Sequence, residues 1–140
     1  MIGRNRDNDP GMANTVFVIG ADRISTDLHN LLVSQNGALS TPLTLDFEYN
    51  DVNDPNSFYT RSDHYSYASK GIPIAFFFTG THPDYHANSD SVDKILFDKQ
   101  ARVAQLVYQA GFAVANSERT LARDNKGPRA GRGWSGRLDR

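Results

Sequence analysis

Seven consecutive residues without a polar side chain, Ile72-Pro-Ile-Ala-Phe-Phe-Phe78, constrain this chain more than any other segment. The run follows Gly71 and gives way to Thr79-Gly80, and it reads as a strand that is apolar on both faces. A strand of that kind belongs in the middle of a sheet covered on both sides by helices, with Pro73 tolerable near its beginning. It needs a neighbour on each edge.

The flanking segments supply those layers. Thr15 to Ile19 is β-branched and apolar, stops at Gly20 and reads as a buried strand. Ser25 is placed to cap a helix whose stripe is Leu28, Leu31 and Leu32 and whose stop is Asn36-Gly37. Leu43 to Tyr49 alternates, with Leu43, Leu45, Phe47 and Tyr49 on one side, as a half-exposed strand toward an edge should. Ser62 to Lys70 reads as a short helix ended by Gly71, and the rings of Phe58 and Tyr59 before it and of Tyr65 and Tyr67 within it are expected to be buried or half-buried. Asp98 is placed to cap a last helix with Val103, Leu106, Val107, Ala110 and Val114 as its stripe, running to about Asn116. Strand and helix alternate three times. This is an α/β pattern, and its three strands look like part of a larger sheet.

The 140 residues make about one domain, and charge divides it. Residues 1–118 carry a net charge of -6 and residues 119–140 one of +5. The second segment has six arginines, four glycines and almost no aliphatic residues, so it is expected to be a disordered basic tail. One arginine-glycine stretch with the single Trp134 is thin support for RNA binding, and nucleic acid is not the expected partner. Ser135 lacks the strand and the glycine spacing of a nucleophile elbow. No apolar run approaches the roughly 20 residues that cross a bilayer, and Met1-Ile-Gly-Arg has no signal core behind its charge. Without cysteine, any metal site must be built from imidazole and oxygen.

Chemistry concentrates after the apolar run, where His82, Asp84, His86, Asp90 and Asp93 fall within a dozen residues. In open α/β sheets, ligands sit at the carboxyl ends of strands, and imidazole with carboxylate suits zinc. Asp90 or Asp93 would then fix the tautomer of a ligating histidine. The same Asp, Asn, Ser and Pro residues also form turns and caps, which would leave both histidines simply exposed. Ser62-Asp63-His64 is no triad, because adjacent residues cannot hydrogen-bond in series; Asp63 and His64 either line a site or cap a helix. Asp46, Glu48, Asp51 and Asp54 lack the glycine of a calcium loop and read as a solvated strand face and turn.

Together, Arg61-Ser-Asp-His-Tyr-Ser-Tyr-Ala-Ser-Lys-Gly-Ile-Pro-Ile-Ala-Phe-Phe-Phe-Thr-Gly and His82-Pro-Asp-Tyr-His-Ala-Asn-Ser-Asp-Ser-Val-Asp-Lys-Ile resemble the C-terminal part of the di-zinc aminopeptidase family. Bacterial leucyl aminopeptidases, glutamate carboxypeptidases, glutaminyl cyclases and the inactive transferrin receptor ectodomain share that family. The resemblance covers roughly Met1 to Asn116 and implies a three-layer, mostly parallel mixed sheet flanked by helices. It also implies two zinc ions, a peptide or aminoacyl substrate with a free N-terminus, and secretion or a periplasmic location. His86 corresponds to the last zinc ligand, and Met1-Ile-Gly-Arg resembles the segment that directly follows a ligating Asp. By that alignment the other ligands and the general-base Glu would precede Met1. Tyr85 matches a position where some members help stabilise the oxyanion, and Arg61, Asp63, His64 and Asp90 match site-lining or ligand-supporting positions. Asn88 departs from the Pro that many members carry.

Overall fold

The computed structural model describes residues 1–125. Strand β1 (Thr15–Ile19) leads through a short helix α1 (Ala21–Ile24) into α2 (Thr26–Gly37) and β2 (Thr44–Asp46). Helix α3 (His64–Ala68), strand β3 (Phe76–Phe78) and the long helix α4 (Phe97–Ala115) complete the order. The sheet runs β2-β1-β3, with β2 parallel and β3 antiparallel to β1. It is evenly mixed rather than mostly parallel, among the described residues.

Alternation along the strands divides two cores. Val16 and Val18 of β1, with Ala75 and Phe77 beside β1, meet Leu28 and Leu32 of α2 and Val103, Leu106 and Ala110 of α4. Phe17 and Ile19 turn to the other face, where Ile24, Tyr49, Phe58, Tyr59, Ala68 and Phe78 close a largely aromatic core. The run around β3 is apolar because both its faces are covered, yet β3 lies at an edge, and β1 is the central strand. Apolarity on two faces reports covering layers and not the number of neighbouring strands. The regular strand is also shorter than the run that contains it.

Local signals otherwise act as their chemistry requires. The Ser25 hydroxyl accepts from the Leu28 N–H at 3.3 Å and starts α2. The Asn36 side chain ends it by donating to the Leu43 carbonyl at 2.8 Å and accepting from its N–H at 3.0 Å. Gly71, at φ 75°, lets the chain leave α3. Helix α4 starts differently from expectation: its N-cap is Leu96, without a side-chain cap, and Asp98 lies in the first turn. Val107 is 40% exposed, off the buried stripe, and Tyr67 also faces solvent. The alternation of Leu43 to Tyr49 breaks at the 3-10 turn Glu48–Asn50, which sends Tyr49 into the aromatic core opposite Leu43, Leu45 and Phe47. Asp46, Asp51 and Asp54 accept from backbone N–H groups two residues on, as turn formers. The segment expected to begin the basic tail stays on the body at least to Asn125: the Asp124 carboxylate accepts from the Thr26 N–H at 2.9 Å, and the Asn125 N–H donates to the Ile24 carbonyl at 3.1 Å. Trp134, Ser135 and the rest of residues 126–140 lie outside the described residues.

A buried lysine ties the N-terminal segment to α4. Lys99 Nζ donates to Asn5 Oδ1 and to the Met12 carbonyl, each at 2.7 Å, and both acceptors are neutral. Burial, aided by the charge of Arg102, pushes the Lys99 pKa down to about 8. Between that value and the ordinary 10.5 the unfolded chain holds a proton that the folded chain has released, so stability rises with pH across this window. Burial raises the Tyr59 pKa to about 12 from 10.0, so above pH 10 the unfolded chain ionises first and stability falls. Urea midpoints should therefore climb by an equivalent of about 2 kcal/mol between pH 7.5 and 10 and then decline, and Lys99→Met should flatten the climb. A flat wild-type profile would contradict the charge state assigned to Lys99.

Candidate functional site

The loop that follows β3 is held by its surroundings more than by its own sequence. Thr79 is buried and its Oγ1 donates to the Met1 carbonyl at 3.4 Å, while the Asp7 N–H donates to the Thr81 carbonyl at 2.9 Å. The Leu96 N–H donates to the Gly3 carbonyl at 2.8 Å. Met1 to Asp7 therefore runs between the two ends of the loop. From it Arg4, 6% exposed, reaches Asp84 at 2.9 Å and Asn8 at 2.9 Å and also pairs with Asp90. Lys94 Nζ lies 2.8 Å from Asp84 and donates to the Ser89 carbonyl at 2.8 Å. Lys94 first, then Arg4 and Ser89, hold the Asp84 carboxyl well below the usual carboxylate range.

The two histidines separate. His82 is buried, and neither ring nitrogen has a hydrogen-bond partner among the described residues. Burial, reinforced by Arg4, lowers its pKa, so it is neutral near pH 7. His86 is exposed, takes a left-handed backbone at φ 58°, and stacks on Tyr85 with centroids 4.1 Å apart and planes at 12°. The expectation that both rings face solvent holds for His86 alone. Asp90, a candidate partner for a histidine, is instead the partner of Arg4.

A line of rings joins this loop to α3. Tyr85 meets Phe78 edge-on at 6.1 Å, Phe78 stacks on Phe76 at 5.8 Å, and Phe76 stacks on His64 at 4.4 Å. His64 Nε2 donates to the Tyr59 carbonyl at 2.7 Å, and burial lowers its pKa. The Arg61 guanidinium lies over Phe58, 4.9 Å from the ring centre, and Phe58 packs on Phe78 at 4.8 Å. Asp63 is exposed at the N-cap of α3 without a side-chain cap. Arg61, His64, Tyr85 and His86 thus share the aromatic side of the sheet, whereas Asp90 belongs to the Arg4 cluster. Arg4 is the residue missed by sequence reasoning. Its signal was the surplus of Asp84, Asp90 and Asp93 in a loop whose own cation is Lys94.

These features define a small α/β unit with a histidine-bearing loop at the carboxyl end of a strand. The chain belongs to peptidase family M28, a family of zinc peptidases, whose profile it matches over residues 8–111. No curated protein and no solved structure matches it significantly. Among the described residues, no three His, Asp or Glu side chains come together as a metal-binding group. No helix there is long and apolar enough to cross a membrane.

Proposed function

We propose that this chain supplies the last zinc ligand, His86, and adjoining substrate-side residues of an aminopeptidase-type exopeptidase. The other ligands and the general base come from residues outside it. The observation that carries this reading is the sorting of the loop's candidate ligands. Asp84 and Asp90 are engaged by cations, Asp93 of the 3-10 turn Val92–Lys94 is held by a hydrogen bond with Ser91, His82 is buried, and His86 is exposed beside Tyr85. One imidazole does not fit zinc by itself, since such sites take about three or four protein ligands. Bound zinc in this family supplies Lewis-acid polarisation of a scissile carbonyl and an acidified water. Tyr85 stands next to the ligand as a candidate oxyanion donor, with Arg61, Asp63 and His64 toward the substrate. The substrate is a peptide or aminoacyl group with a free amine, and a secreted or periplasmic location accompanies the reading by family analogy.

The expected result is that the purified chain, dialysed against zinc, retains well under one equivalent and releases no aniline from an aminoacyl anilide. Retention of one tight equivalent that is lost in His86→Ala would show that the chain completes a site unaided, and the proposed division of ligands would fall. A second reading, a non-catalytic relative that binds a protein, draws on Phe97, Tyr108 and Phe112, which stand 59%, 69% and 59% exposed on α4. Association of the purified chain that is abolished by Tyr108→Ser together with Phe112→Ser, read by sedimentation, would favour it.

A further inference from the structure

We propose that Arg4 is a positioning residue for His86: by bridging Asp84 and Asp90 it draws the two ends of the intervening turn together and fixes the histidine at its crest. The bridge spans the site with economy. Asp84 stands two residues before His86 and Asp90 four after it, and the Arg4 guanidinium pairs with both. Lys94 closes the same turn from its other side through Asp84 and the Ser89 carbonyl. A left-handed backbone is strained for a non-glycine residue and persists only where the surroundings over-determine it. His86 has that backbone at φ 58°. Arg4 can impose it because Arg4 is itself anchored: its side chain is buried, and the hydrogen bonds from Leu96 to Gly3 and from Asp7 to Thr81 fix the chain on both sides of it. Lysine would be a poor substitute, since a single ammonium lacks the planar fork that serves two carboxylates at once. The inference rests on the zinc-ligand reading for the purpose of the turn, but not for its geometry.

The test is therefore metal-free. In a chain labelled at histidine, the stacking of His86 on Tyr85 displaces its ring-proton resonances from their positions in the urea-unfolded chain. Arg4→Met should return the His86 signals toward the unfolded positions while the methyl resonances of Val16 and Val18 stay dispersed. Arg4→Lys should restore part of the displacement. Unchanged His86 signals in a folded Arg4→Met protein would overturn the proposal. Should Arg4→Met not fold, Asp90→Asn releases one arm only, and an unchanged His86 there would overturn it equally. Zinc uptake is measured separately, so failure of the ligand reading leaves this result standing, and the reverse also holds.

Discussion

Gly80→Ala should destabilise the protein by about 2–5 kcal/mol, a large share of the 5–15 kcal/mol that holds a domain of this size together. Two costs add. Gly80 has φ 91°, a backbone that penalises any side chain. An added Cβ would also lie 2.5 Å from the Arg6 Cβ and 3.1 Å from its Cα. Arg6 cannot withdraw freely, because its guanidinium pairs with Glu48 at 2.8 Å and lies over Phe17, and the next residue is hydrogen-bonded to Thr81. Urea denaturation followed by circular dichroism reads the loss. Gly111→Ala is the control: it lies inside α4 with no atom beyond its chain neighbours and its own helix backbone within 4 Å of an added Cβ, so it should stabilise by about 0.5–1 kcal/mol. Equal midpoints for the two variants would mean that the N-terminal segment does not lie against the β3 loop.

That contact also marks the limit of what the sequence discloses. The cap at Ser25, the exit at Gly71 and the buried leucines of α2 are legible because each depends on residues within a few positions. The place of β3 at an edge is not, since its side chains register the layers above and below it and say nothing of the strand beside it. Tyr49 followed a correct alternation until a 3-10 turn rotated it into the opposite core, an event set by the packing of Phe17 and Phe58 against its ring. In the site, spacing singled out the loop and the family pattern singled out His86. The partner that holds the loop, Arg4, is 80 residues from Asp84, and no local rule links positions that far apart.

Phe78→Ala should cost about 3–5 kcal/mol, the usual range for removing a buried ring, with the loss concentrated on the side of the sheet that carries the candidate site. Phe78 is 2% exposed and touches Phe58, Tyr49, Phe76 and Tyr85, so its removal leaves a cavity between the aromatic core and the ring that supports His86. Phe77, one residue earlier, turns to the other core, where it is half-buried, and Phe77→Ala should cost only about 1–2 kcal/mol. Stability alone would not separate a general weakening from a local one. The near-ultraviolet circular dichroism does, because Tyr49 and Tyr85 lose a ring neighbour in Phe78→Ala and keep it in Phe77→Ala. The expected result is a diminished tyrosine band in the first variant at temperatures where both remain folded. Similar midpoints and similar spectra for the two would mean that the faces of β3 are not divided as described, and the line of rings from His64 to His86 would lose its middle member.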